Sequence, residues 1–415
     1  CFMIYQYQKR NTLYCVGVKL DGNGKRIGAP IDLDTTQIGF AASNKIYTTI
    51  FSEDKKRIMI FKINNRNQKN FFFTSLLFND QLDLLGRNRM NMAMEERSDY
   101  FTDFLLTNEG DMVFGIFRRS SNNDQITKVM MVIKTPEALD FAVRDVEIGS
   151  LILDELKYKI DNSNKRILLN ALFYKQRRGN IEGLYTLSWD KDRNVKLKDN
   201  LTTFDEDLRS VAKSSEANRR MAFNDYFIKN IITRKDGGFL VVGESLYSSS
   251  RGNTYNRWNY NNFGNPWMSP LDYSYWSPMY SSPWYMPWNR YGNSNATRYY
   301  AENIMVLSFN KEAVLEWSNV IEKSQYDDES DNTISFQMMN TGSELHFLFN
   351  QFERRTLLLH DQSIGPDGKV LRNPTLKNLD KGYEFMPRFG KQVSARQIII
   401  PCLYRNYLCF AKIDF

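Results

Sequence analysis

The sequence predicts an all-β protein, a β-propeller of seven four-stranded antiparallel blades whose first blade is incomplete at the N-terminus. Three observations lead there. Short runs of β-branched and aromatic residues are separated by Asn, Asp, Gly and Lys turns, with little sustained helical period. These runs return in a set order of two hairpins. Equivalent turns also recur, three times out of five, at intervals of roughly fifty residues, the repeat length of a propeller blade.

In each unit the first hairpin is a strand, a polar turn and a strongly apolar strand. It reads "TTIFSEDKKRIMIFKI", "DFLLTNEGDMVFGIF", "YKIDNSNKRILLNALFY", "NIITRKDGGFLVVGES" and "SFQMMNTGSELHFLFN", with a weaker "FMPRFGKQVSARQIIIPC" at the end. Glu53, Glu109, Asn162, Lys235, Thr341 and Lys391 mark the turns. The second hairpin reads "FFFTSLLFNDQLDLLGR", "GLYTLSWDKDRNVKL", "NIMVLSFNKEAVLEWS" and "RTLLLHDQSIGPDGKVL". The two long intervals carry insertions: a polar, charged one at about 205–222 and an aromatic one at 248–300, within the fifth blade. On this reading 1–415 is a single propeller domain.

The opening "TLYCVGVKLDGNGKRIG" supplies a seventh unit that lacks its innermost strand, and 383–415 supply three strands without an outer one. A stretch missing before residue 1 would provide both and leave no open edge. "CFMIYQYQ" reads as the middle of a strand, which favours a lost N-terminus, with any export signal, over a lipidated Cys1. The closure would bring Cys1, Cys15, Cys402 and Cys409 onto adjacent blades, where free buried thiols are favoured over a disulfide.

Composition excludes more than it assigns. The 42% hydrophobic content is ample for a core, and the net charge of +7 comes from interspersed charges, the pattern of a mixed solvated surface rather than a nucleic-acid face. No run of eighteen apolar residues is long enough for a membrane-spanning helix. The four cysteines match no zinc spacing.

Catalytic, cofactor and metal motifs are not found, so the expectation is a protein that is not an enzyme and needs no cofactor. His346 and His360 lie in strand-like runs without ligand partners at metal spacing and read as packing or surface residues. "LDGNGKRIG" and "GPDGK" read as hairpin turns rather than calcium loops. Asp327, Asp328, Glu329 and Asp331 in "SQYDDESDN" could serve acid/base work or hold a cation, but a solvated acidic loop is the expected reading.

The aromatic insert holds five of the seven tryptophans. Proline removes ladder hydrogen bonds, so this is no core strand, and Pro, Ser and Asn break any membrane helix. Burying five tryptophans removes about 1,000 Å², or roughly 25 kcal/mol gross. Ordering some fifty residues costs about 1–2 kcal/mol each, which exceeds that. The insert therefore leans on its propeller, engages a partner or stays mobile, and Tyr and Trp among Ser, Gly and Asn suit a recognition loop. Trp258, Trp267, Trp276, Trp284, Tyr285 and Trp288 are the expected partner-binding residues.

The insert, "ENIMVLSFNKEAVLEWSNVIEKSQYDDESDN", "MMNTGSELHFLFN" and "LKNLDKGYEFMPRFGKQVSARQIIIPCLYRNYLCFAKIDF" together resemble a family of exported β-propeller proteins of Bacteroidota that serve the type 9 secretion translocon. The resemblance implies a non-enzymatic periplasmic subunit, peripherally attached to an outer-membrane complex and present as a single copy. It would bind the giant outer-membrane β-barrel of the type 9 system and occlude the periplasmic opening of its pore, with no nucleic acid and no membrane span of its own. The residues leave a second reading open: a carbohydrate-binding or carbohydrate-active periplasmic propeller whose aromatic loop stacks on glycans.

Overall fold

A computed structural model describes the chain apart from residues 40–45, 68–69, 95–98, 120–124, 177–178, 214–221, 251–252, 255–296, 329–330, 354–355, 375–381 and 406. The alternation of apolar and polar residues becomes a succession of antiparallel meanders. Five have four strand positions: 48–93, 99–146, 152–203, 226–321 and 336–372. In the second of these the first strand is broken into Asp99–Phe101 and Leu105–Leu106. The meander at 2–37 has three strands, Phe2–Lys9, Thr12–Leu20 and Arg26–Gln37. The last, 383–414, has three positions, because Tyr383–Phe385 and Lys391–Ser394 share one edge of Gln397–Tyr404 and Tyr407–Asp414 takes the other. A single pair, Ile126 with Leu153, links the meanders 99–146 and 152–203 into one hydrogen-bonded sheet.

Local turn chemistry sets each register. In "SEDKK", Ser52 Oγ donates to Asp54 Oδ1 at 2.6 Å and Lys55 takes the left-handed conformation at φ 62°. Asp21 accepts from the amides of Asn23 and Lys25, which makes "DGNGK" a hairpin turn held by its own carboxylate. Every first hairpin read from the sequence is present. The hairpin Ile126–Lys134 with Ala142–Val146 was not among the expected ones, because "TPEALDFAVRDV" spaces its apolar residues irregularly. The charged insertion near 205–222 contains a short helix, Glu206–Ala212, whose first turn Asp205 caps by accepting from Leu208 N at 2.8 Å. Its Arg209 is buried and donates to the carbonyls of Phe204 and Ile181, tying the helix to the preceding meander.

Each meander buries one face against the next. Phe61, Phe73, Phe101, Phe104 and Phe114 pack between the meanders at 48–93 and 99–146, and Leu240, Val306, Phe347 and Ile364 between those at 226–321 and 336–372. The last interface is thinner, with Leu348, Leu359, Ile398 and Ile400 as its buried centre. No buried cluster among the described residues joins the first meander to the last. The third strand of the last meander has no buried residue, whereas Ile181–Asp190, at the same position in its own meander, is almost wholly buried.

The cysteines are free as expected, but only two of the four are buried. Cys15 is buried in the core between the first two meanders, Cys1 is exposed, and buried Cys402 faces half-buried Cys409 within the last meander. The register of Gln397–Tyr404 with Tyr407–Asp414 brings 402 opposite 409.

Candidate functional site

The expected partner-binding residues Trp258, Trp267, Trp276, Trp284, Tyr285 and Trp288 lie outside the described residues. The foot of their insert is described. Phe239–Ser250 and Thr297–Phe309 pair along their whole length, from Phe239 with Phe309 out to Ser250 with Thr297. On this ribbon Tyr247 and Tyr300 stand opposite each other with rings stacked at 4.5 Å and 14°. Tyr326 continues the row 6.5 Å from Tyr300.

A cation closes each end of the row. Arg298 lies 4.5 Å over the Tyr326 ring and holds Asp328 with both arms, Nε to Oδ1 at 2.5 Å and Nη2 to Oδ2 at 2.9 Å. Lys213 Nζ lies 5.6 Å over Tyr247 and 3.6 Å from Glu302, whose carboxylate accepts from Tyr247 Oη at 2.7 Å. Burial and the Glu302 carboxylate push the Tyr247 phenol well above its ordinary range, so it stays a donor. The Arg298 guanidinium holds the Asp328 carboxyl below the usual range, so it stays an acceptor.

In the acidic segment, 324–328 and 331–332 form a strap bound to its neighbours, on which Asp328 stays half exposed; Glu329 lies outside the described residues. Gln325–Asp327 adds a short strand beside Tyr299–Ala301. Asp327 accepts from Thr333 Oγ1 at 2.7 Å, and Asp331, 4% exposed, pairs with Arg388. The described carboxylates of Asp327, Asp328 and Asp331 each have a partner, one of them 57 residues away in sequence. Among the described residues no group of three His, Cys, Asp or Glu is arranged to hold a metal ion.

Beneath the strap lies a buried ionic hub. Lys323 and Glu244 have fully buried side chains, with Nζ 2.8 Å from Oε1. Lys323 also donates to Ala301 O at 3.0 Å and Gln325 Oε1 at 2.8 Å, and Ser335 Oγ donates to Glu244 Oε2 at 2.6 Å. Lys229 adds a second cation 3.6 Å from Glu244, and burial pushes both lysines below their ordinary range. Glu155, at φ 51° on a bulge of the strand Ile152–Asp161, accepts from Ile228 N at 2.8 Å across the neighbouring meander. Held by its ion pair with Glu244 and by hydrogen bonds to Ala301 O and Gln325 Oε1, Lys323 anchors the foot of the insert.

The histidines serve the meander 336–372. His346 Nδ1 sits 3.0 Å from Asp361 Oδ2 with its ring edge on Phe415. His360 lies against Phe349 at 6.1 Å and faces Glu353, 3.2 Å from Nε2, at the wall of a polar cavity of about 590 Å³ that Gln362, Arg372 and Glu322 also line. A second cavity, of about 390 Å³, opens between Tyr326, Asp327, Asn350, Phe352 and Glu384.

Sequence reading bounded the insert at 248–300 but singled out none of Tyr247, Arg298, Tyr300 and Lys213, whose partners come from separate segments. The doublet Tyr299–Tyr300 beside Tyr247 was the available signal, since tyrosines flanking an insert on paired strands must stand side by side.

No family model matches this chain, and no curated protein matches it. Among solved structures it is similar to the polysaccharide lyase Uly1, at 8% identity and a TM-score of 0.42, over 100% of this chain and 87% of that one. A putative 6-phosphogluconolactonase from Bacteroides fragilis matches at 9% identity and a TM-score of 0.37, over 100% and 94%. A Synechocystis apocarotenoid oxygenase variant matches at 11% identity and a TM-score of 0.36, over 98% and 74%. Similarity at this level carries no activity to this chain. What is established is an all-β chain of successive antiparallel sheets.

Proposed function

We propose that the seven meanders are the blades of a β-propeller, and that the protein is a non-enzymatic binding subunit that presents the 248–300 insert to a partner. The observation that carries this reading is the foot of the insert. A recognition loop gains affinity when it starts from a preorganised base, because less entropy is lost on binding. The stacked Tyr247 and Tyr300, clamped by Arg298–Asp328 and Lys213–Glu302, form such a base. The sequence resemblance supplies the partner: the giant outer-membrane β-barrel of the type 9 secretion translocon, whose periplasmic opening this subunit would plug from the periplasm.

The test is affinity purification of the tagged chain from native membranes, comparing wild type, a variant with 255–296 replaced by a short Gly-Ser turn, and Trp276→Ala/Trp284→Ala/Trp288→Ala. Co-purification of a very large barrel with wild type, lost or strongly reduced in both variants, supports the reading. If all three capture the barrel and seal it equally, the insert has no role in plugging; if none captures it, the partner is wrong. The glycan reading draws on one observation, the cavity beside Tyr326 with its Asp327 and Glu384 carboxylates. Oligosaccharide quenching of tryptophan fluorescence would move the assignment there.

A further inference from the structure

Cys402 and Cys409 are direct partners across the last hairpin, and both are free thiols. The amide of Phe415 donates to the carbonyl of Arg396, which makes every second register position a hydrogen-bonded pair: 398 with 413, 400 with 411, 402 with 409. Pro401, which has no N–H, accordingly falls on a non-hydrogen-bonded position opposite Phe410. The Cα atoms of a hydrogen-bonded pair are about 5.5 Å apart, inside the ~4.4–6.8 Å that a disulfide spans. The Cβ atoms of a hydrogen-bonded pair lie toward ~5.5 Å, roughly 1.5 Å wider than a relaxed disulfide prefers, so the strands must draw together and the bond would be strained and readily reduced.

Access is asymmetric. Cys402 is 2% exposed, while Cys409 is half-buried on an edge strand whose Leu408 and Phe410 are 60% and 67% exposed. Burial, followed by the neighbouring Cys409 thiol, pushes the Cys402 thiol up, which leaves Cys409 as the group that meets an oxidant first.

We propose that Cys402 and Cys409 are a redox-active pair that forms a reversible cross-strand disulfide and locks the last strand to its sheet. The Cys409 thiolate attacks a small-molecule or protein disulfide, releasing one thiol and forming a mixed disulfide. Cys402 then loses its proton and attacks Cys409 Sγ, expelling the second thiol. Two electrons and two protons pass to the oxidant, which leaves as two thiols. The ring encloses few residues, so global stability changes little and the effect is local to strand 407–414.

The experiment treats the full chain with oxidised glutathione, alkylates it under denaturing conditions and digests it with trypsin. Cleavage at Arg405 separates 397–405 from 406–412, so the disulfide appears as a linked peptide pair. The expected result is that this pair is the dominant disulfide, is abolished by dithiothreitol, is absent from Cys409→Ser, and accompanies at least about threefold slower amide exchange in 407–414. Full alkylation of both cysteines, or links from either to Cys1, Cys15 or a second chain, overturns the proposal. The wild-type readout stands even where a cysteine variant fails to fold.

Discussion

Arg298 holds Asp328 through two hydrogen bonds while its guanidinium sits 4.5 Å over the ring of Tyr326, so one side chain joins the outgoing ribbon of the insert to the acidic strap. Both charged groups are largely solvent-accessible, and exposed ion pairs contribute little to global stability. The contact matters for where the strap sits. Arg298→Ala should leave the unfolding midpoint nearly unchanged and raise amide exchange in 299–301 and 325–327. Unchanged exchange there would assign the strap to its backbone pairing alone.

The Lys323–Glu244 pair behaves differently, because neither side chain reaches solvent. Removing Lys323 leaves buried Glu244 with only Lys229, 3.6 Å away, and losing a partner from a buried pair costs up to about 3–5 kcal/mol. Lys323→Met should lower stability by that order in urea unfolding. Adding Glu244→Gln should recover part of the loss, since the two sites share one network. Additive losses would show the pair to be uncoupled.

Acid sensitivity should come in part from His360. Burial outweighs Glu353 and, with Arg372 nearby, holds the imidazole below its ordinary 6.5. The unfolded chain therefore binds more protons than the folded one between the depressed folded value and 6.5. Stability rises with pH through that window and is lost as pH falls through it. His360→Asn should flatten the dependence of the unfolding free energy below pH 6.5. An unaltered slope would place it on other groups.

Gly183 tests packing rather than charge. It pairs with Thr203 in the centre of a buried sheet, and a Cβ there would run into the Thr202 carbonyl oxygen and the Phe173 ring. Overpacking of this kind costs about 1–3 kcal/mol. Gly183→Ala should lower the urea midpoint accordingly, without altering residues at the foot of the insert.

What the sequence by itself determined is the local half of the architecture. Hairpins such as "TTIFSEDKKRIMIFKI" are legible because alternation and turn residues act over fewer than ten positions, and Asp21, Ser52 and Asp54 carry their turn chemistry with them. The same logic would have paired Cys402 with Cys409 had the pairing of Tyr404 with Tyr407 been located, since a short hairpin connection fixes register. The position and composition of the aromatic insert were equally plain. Tertiary structure alone decided the rest. Lys323 meets Glu244, Arg388 meets Asp331 and Glu155 reaches Ile228 N across separations that no local pattern encodes. The acidic segment at 324–332 reads as solvated in isolation because its partners are distant in sequence: Arg298 on the strand it pairs with, and Arg388 from the last meander. Charge neutralisation between distant strands depends on how sheets stack, and stacking is set by the apolar faces as a whole rather than by any one segment.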